Sequence, residues 1–195
     1  MNLPNKLTIA RIIMTPLFMA AMLINFKCHY IVALLLFIVA SLTDLLDGKI
    51  ARAQNIVTNF GKFLDPLADK MLTTAAFLAF LAKGFGTGIA WVLFIVLFRE
   101  FMIASLRLVA VSSETKKVIP ANIWGKIKTV SQMACIIFGI AIMAFVELNI
   151  GGIPLVIYDI LSILFDITLW VSTAFAVISG VIYMKDSFEF IDPSK

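Results

Sequence analysis

Long apolar runs alternate with short polar connections along the chain. Each run has roughly 20 residues and few charges, the length a helix needs to cross the ~30 Å hydrocarbon core of a bilayer. Runs of this kind are typical of transmembrane helices rather than of amphipathic surface helices. The predicted apolar segments are residues 8–26, 30–46, 63–82, 88–110, 123–147 and 155–184.

The last of these segments is too long for a single helix that stands perpendicular to the membrane. Asp166 lies near its middle, and a carboxylate at membrane depth is costly. We therefore expect a break, a tilt or a short interfacial helix before the true span.

Composition supports a membrane protein. Of the 195 residues, 62% are hydrophobic and only 14% are charged. In a soluble domain about half of the residues are hydrophobic and about a quarter are charged. No Gly/Ser linker, charge block or repeat divides the chain. The sequence therefore predicts one all-α, polytopic membrane domain over residues 1–195.

Positive charges fall mainly on one side of the predicted spans. If the N-terminus is cytoplasmic, the outer side receives only Lys27 and Lys83, and Arg99 lies within a span. The cytoplasmic side collects Lys6, Arg11, Lys49, Arg52, Lys62, Lys70, Arg107, Lys116, Lys117, Lys126, Lys128, Lys185 and Lys195. The positive-inside rule then places both termini in the cytoplasm. The net charge of +4 reflects this rule and attraction to anionic membrane lipids, so nucleic acid need not be invoked.

Four aspartates occupy the cytoplasmic ends of the second and third segments. Asp44 and Asp47 are three residues apart, and Asp65 and Asp69 are four apart, so each pair shares one helix face. Burying such charges costs up to ~2.5–3.5 kcal/mol each. One or two divalent cations would balance them, and all-oxygen ligation favours magnesium, manganese or calcium over zinc.

Small residues and one arginine accompany these aspartates. Gly48 follows Asp47, and Gly61 lies four residues before Asp65; glycine lets a ligand approach the backbone closely. The small side chain of Ala51 leaves the same helix face unobstructed. The guanidinium of Arg52 can donate two hydrogen bonds to a carboxylate or phosphate. Together with a metal, these features indicate a site for a diphosphate.

Less specific explanations exist for each residue alone. A single aspartate at a membrane edge is more often a solvated helix end, and a single glycine is more often a helix-packing contact. The full spacing makes coincidence improbable. Aspartates lining an ion pathway in a transporter or channel are a remote alternative, because polar residues do not continue to the far side of the spans.

The stretch from Asp44 to Asp69 resembles the signature of the CDP-alcohol phosphotransferase family, D-x2-D-G-x2-A-R-x8-G-x3-D-x3-D. Its eight positions are filled by Asp44, Asp47, Gly48, Ala51, Arg52, Gly61, Asp65 and Asp69. The resemblance implies that the aspartates hold two divalent metals, Mg²⁺ or Mn²⁺, over the diphosphate of a CDP-linked donor. It also implies that Asp69 is the general base and that the Gly/Ala positions make room for the cytidine nucleotide. The family fold implies six transmembrane helices, a homodimer and a short amphipathic segment before the first span.

Three further stretches resemble bacterial members that transfer a phosphatidyl group from CDP-diacylglycerol to glycerol 3-phosphate. They are NLPNKLTIARI at 2–12, FREFMIASLRL at 98–108 and NIWGKIKT at 122–129. The resemblance implies a bacterial inner-membrane enzyme of phospholipid synthesis with a cytoplasmic site. A cardiolipin synthase, or another member with a different acceptor, is the nearest alternative.

An acceptor that carries a phosphate needs cations besides the metals. Arg107 is the first candidate, followed by Lys126, while Lys128 is expected to face lipid headgroups. Arg99 is a weaker candidate, since an ion pair with Glu100 explains it equally well. On the nucleotide side, weaker candidates come from the N-terminal segment: Asn5, Thr8 and Arg11.

Overall fold

A computed structural model describes residues 2–53, 59–112, 123–149 and 152–187, without the side chains of 45–53, 59, 60, 62, 63, 65 and 110–112. The described residues form six α-helices and no strand. The helices are α1 Leu3–Leu23, α2 His29–Ala53, α3 Asn59–Lys83, α4 Ile89–Ser112, α5 Ile123–Leu148 and α6 Leu155–Asp186. Each of them overlaps one predicted apolar segment, with ends that differ by up to seven residues.

Helix length and composition identify a membrane protein. Within the described part of the chain, four helices are long and apolar enough to cross a bilayer: α1, residues 89–109 of α4, α5 and α6. The apolar part of α2, His29–Asp44, is shorter. The all-α membrane class is therefore confirmed, and a count of six spans stays a prediction.

Helices α1 and α6 bear on two of the sequence predictions. Helix α1 begins at Leu3, ahead of the predicted first span at residue 8, and the amphipathic character of that beginning stays a prediction. Helix α6 is unbroken over 32 residues, so the prediction of a break near Asp166 or of a separate short helix is wrong, and a tilt stays a prediction. The Asp166 carboxylate accepts a hydrogen bond of 2.8 Å from the backbone N–H of Thr87, and a carboxylate with such a donor does not need to interrupt its helix.

The described residues fall into two compact units. The first contains residues 1–86 and 136–165, and the second contains residues 87–135 and 166–195. In the first unit, α1 packs against both α2 and α3. The rings of Phe80 and Phe85 meet Phe165 at centroid distances of 5.4 and 4.5 Å. A Cβ on Gly139 would lie only 2.5 Å from the Phe165 ring, so glycine is needed for this contact.

In the first unit, a glutamate of α5 also accepts hydrogen bonds from the first residues of α2. The backbone N–H groups of His29 and Tyr30 donate to the two carboxylate oxygens of Glu147, at 3.0 and 3.1 Å. The first amides of a helix have no intrahelical partner, and an anion near them is favourable. Glu147 therefore ties the end of α5 to the start of α2.

The second unit packs α4 against α6. Ile103 and Leu106 of α4 form a buried cluster with Tyr183 of α6. The opposite face of α4 is apolar and exposed, with Trp91, Phe94, Phe98 and Phe101 along it. Such a face is stable in lipid, where no water has to be excluded from it.

Candidate active site

The aspartates lie in two helices of the first unit. The helical backbone of α2 includes positions 44 and 47, and that of α3 includes positions 65 and 69. Helical spacing within each pair is therefore confirmed. The side chains of Asp47, Ala51, Arg52 and Asp65 lie outside the described part of the chain, as do the surroundings of Gly48.

Asp44 is held by an arginine from another helix. The Arg11 Nη1 atom lies 2.6 Å from Oδ1 of Asp44; the Arg11 side chain is 1% exposed and that of Asp44 is 34% exposed. Sequence reasoning assigned Arg11 to the nucleotide side and missed this contact. A signal was available, because a charged residue inside an apolar helix needs a partner, but the sequence does not say which carboxylate provides it.

Asp69 lies ten residues into α3 and is partly buried. The Thr73 hydroxyl, one turn later, donates to the backbone carbonyl oxygens of Lys70 at 3.2 Å and of Asp69 at 3.4 Å. Pro66 is inside α3 rather than in its first turn. Proline in a helix interior removes one backbone hydrogen bond, so the local helix is weakened beside the site.

The remaining candidates of the first unit are buried. Asn5 and Thr8 lie on α1, and the Thr8 hydroxyl donates to the Pro4 carbonyl at 3.1 Å. Gly61 is buried near the start of α3. Asn5 and Thr8 share a helix face with Arg11, since the three are spaced by three residues.

The second unit contains a largely buried cluster of three charged side chains from α4 and α5 and one hydroxyl from α6. Glu100 accepts from Arg99 Nη1 at 2.8 Å and from Lys128 Nζ at 2.5 Å. Arg99 Nη2 also donates to the Ser179 hydroxyl at 2.6 Å. The ion pair between Arg99 and Glu100, one of two explanations offered by the sequence, is therefore present.

Arg99 packs closely against a glycine of α6. A Cβ on Gly180 would lie 3.0 Å from Arg99 Cγ, which is tighter than an ordinary contact, whereas one on Gly125 would lie at an ordinary 3.8 Å from Arg99 Nη2. Glycine at position 180 therefore leaves room for the arginine stem.

The lysines that open α5 have the reverse of their expected orientation. Lys128 is buried at 7% exposure and paired with Glu100, whereas Lys126 is exposed. The expectation that Lys128 faces lipid headgroups is wrong. Residues two apart on a helix point about 200° apart, so the sequence distinguishes two directions but not which one faces inward.

Arg107, the first candidate for the acceptor phosphate, is exposed on α4. Its Nε donates to the Tyr183 hydroxyl at 3.2 Å, and its guanidinium lies 5.7 Å from the Tyr183 ring centroid. Tyr183 thus fixes one edge of the guanidinium, and the fork still has other donors for an anion.

The donor chemistry fits a hard divalent cation. Among the described side chains, no group of three or more His, Cys, Asp or Glu could hold a metal. Of the four aspartates, however, only Asp44 and Asp69 have described side chains. Both offer carboxylate oxygens and both are partly buried, which suits Mg²⁺ or Mn²⁺ better than zinc.

An all-α membrane protein with two aspartate pairs at helical spacing fits the class of membrane-embedded phosphotransferases that the signature from Asp44 to Asp69 predicts. The chain is a member of the CDP-alcohol phosphatidyltransferase family, whose profile matches residues 1–178.

Of three curated relatives, two match this protein over nearly its whole length, and the third matches about two thirds of it. A CDP-diacylglycerol–glycerol-3-phosphate 3-phosphatidyltransferase of Bacillus subtilis is 39% identical over 99% of this chain and 98% of the relative. A protein of the same name from Rickettsia felis is 38% identical over 94% of each chain. A probable phosphatidylglycerophosphate synthase of Mycobacterium tuberculosis is 37% identical over 69% of this chain and 64% of the relative.

Proposed function

We propose that this protein transfers the phosphatidyl group of CDP-diacylglycerol to sn-glycerol 3-phosphate, giving phosphatidylglycerophosphate and CMP. The complete eight-position aspartate signature carries the proposal, and the names of the full-length relatives support the acceptor. The reaction belongs to phospholipid synthesis, and we propose a bacterial cytoplasmic membrane with both termini and the active site in the cytoplasm.

Asp44, Asp47, Asp65 and Asp69 are the residues that would hold the divalent cations. Bound there, Mg²⁺ or Mn²⁺ would neutralise the donor diphosphate and the charge that develops on the departing CMP. Gly48, Ala51 and Gly61 leave space for the CDP group, and Arg52 supplies a fork for its phosphate. Asn5, Thr8 and Arg11 belong to the nucleotide side of this proposal.

Asp69 is the proposed general base. It accepts the proton of the acceptor hydroxyl, whose oxygen attacks the phosphorus that carries diacylglycerol as the bond to CMP breaks. We favour direct in-line transfer, because no Ser, Cys or His is an obvious covalent nucleophile in the signature.

Arg107 and Lys126 are the proposed ligands of the acceptor phosphate, with Arg99 as a weaker third. Exposure of Arg107 and Lys126 suits residues that meet a small soluble substrate. Arg99 already donates hydrogen bonds to Glu100 and Ser179. To bind the acceptor phosphate as well, its guanidinium would have to divide its donors between these residues and the phosphate. We further propose a homodimer, as the family resemblance implies.

The deciding experiment is CMP release by purified protein in detergent, with CDP-diacylglycerol and Mg²⁺ or Mn²⁺. Glycerol 3-phosphate, serine, inositol phosphate and phosphatidylglycerol are tested in parallel. Release only with glycerol 3-phosphate supports the proposal. Release with phosphatidylglycerol identifies a cardiolipin synthase instead, and no release from folded protein argues against the reaction class. Metal-dependent ion flux in sealed vesicles without CMP release would favour the transporter alternative.

Replacing Arg107 by Ala tests the acceptor site. We expect the KM for glycerol 3-phosphate to rise about 10- to 100-fold, because a charge-assisted contact to phosphate is lost, with a much smaller change in the KM for the donor. Arg107→Lys should recover part of the loss. Tyr183→Phe, which removes only the hydroxyl that Arg107 contacts, is the matched control and should stay within a few-fold of the parent. An unchanged KM for glycerol 3-phosphate in Arg107→Ala would contradict the assignment.

A further inference from the structure

Arg11 is a cationic residue buried in the first unit. Its side chain is 1% exposed. It comes from α1, the helix that packs against both aspartate-bearing helices. On the same face, α1 buries Asn5, Thr8 and Thr15, so this face of α1 is polar although the helix is apolar enough to span a membrane.

The ion pair with Asp44 engages a carboxylate that the proposed function also assigns to a divalent cation. Arg11 Nη1 lies 2.6 Å from Oδ1 of Asp44. A metal ion bound to the Asp44 carboxylate would be repelled by the positive guanidinium, and both cations would have to share the one carboxylate. Even with the dielectric constant of water and a separation of about 6 Å, one unit charge changes the affinity for a divalent cation by about tenfold, so tenfold is the smallest change expected for a buried guanidinium.

We propose that Arg11 competes with the divalent cation for Asp44 and so sets the metal affinity of the site. Arg11 is then a positioning residue that acts through Asp44, and its charge keeps the aspartate cluster compensated before the metal binds. This inference rests on the metal role of Asp44 in the proposed function.

The sign of the effect separates this role from a structural one. If Arg11 only supported the fold, or only oriented Asp44 as a ligand, its removal would weaken metal binding. If the charge competes, its removal strengthens metal binding, and a lysine at the same position preserves the parent affinity.

The test is Mn²⁺ binding to the purified full-length protein without substrate, followed by the electron paramagnetic resonance signal of free Mn²⁺. Arg11→Met should lower the dissociation constant for Mn²⁺ at least about tenfold, and Arg11→Lys should stay within about threefold of the parent. Thr15→Val is the matched control on the same face of α1, because the hydrogen bond that the Thr15 hydroxyl donates within the described part of the chain stays in its own helix, to the Arg11 carbonyl at 2.9 Å. Asp44→Asn should weaken binding. If Arg11→Met does not fold, Arg11→Gln makes the same charge change.

Unchanged or weaker Mn²⁺ binding in the neutral variants would overturn the inference. Parent protein that binds no Mn²⁺ would overturn it as well, together with the metal role of Asp44. CMP release by the parent protein is measured separately, so failure of the proposed reaction is distinguishable from failure of the competition between Arg11 and the cation.

Discussion

Asp69→Asn is expected to lower kcat about 100- to 10,000-fold, the range typical for loss of a general base. The amide has nearly the same shape as the carboxylate but cannot accept the proton of the acceptor hydroxyl. The KM values should change less than kcat, since the acceptor is bound mainly through its phosphate. The measurement is the initial rate of CMP release with saturating glycerol 3-phosphate and CDP-diacylglycerol.

Asp166→Asn is the matched control for this substitution. It makes the same chemical change in the second unit, where the side-chain oxygen accepts a hydrogen bond from Thr87, and an amide oxygen can still accept it. The control should turn over at nearly the parent rate. If Asp69→Asn also kept full turnover, Asp69 would not be the base. Mn²⁺ binding to Asp69→Asn then shows how far loss of a metal ligand contributes to the effect.

Helix positions were predictable because hydrophobic length is a strong signal in membrane proteins. The predicted segment 88–110 corresponds to Ile89–Ser112, and 123–147 corresponds to Ile123–Leu148. Polar helix ends were less predictable. Helix α3 begins at Asn59 rather than near 63, and α1 begins at Leu3, because helical hydrogen bonding continues beyond the apolar stretch.

Tertiary partners were the main features that the sequence left undetermined. The buried position of Lys128 depends on Glu100, which lies 28 residues earlier on another helix. The pairing of Arg11 with Asp44 depends on how α1 packs against α2. Charge in an apolar segment indicates that a partner exists, but the choice among several carboxylates requires the three-dimensional arrangement. The aspartate spacing, by contrast, is local and was readable directly.

Removal of divalent cations should lower the rate of CMP release about as strongly as the Asp69→Asn substitution. Chelation with EDTA is expected to reduce CMP release on the order of 1,000-fold or more, because the metal supplies several kcal/mol of stabilisation to the transition state. The four aspartates would otherwise face the negatively charged diphosphate of the donor with only partial neutralisation from nearby cations, which are Arg11, Lys49, Arg52, Lys62 and Lys70. Mg²⁺ or Mn²⁺ should restore the rate, whereas Zn²⁺ should restore it poorly, since Asp44 and Asp69 offer only oxygen ligands.

Two observations distinguish loss of metal from general damage by the chelator. Activity should return when Mn²⁺ is added back to the same sample. The chelated protein should still unfold in a single thermal transition, which shows that it remains folded without the metal. In Asp44→Asn, the Mn²⁺ concentration that gives half-maximal rate should rise at least tenfold, since one anionic ligand is lost. A chelated protein that keeps the parent rate would show that the aspartates serve another purpose. In that case their charge would have to be compensated within the protein, and Arg11, already 2.6 Å from Asp44, would be the first residue to examine.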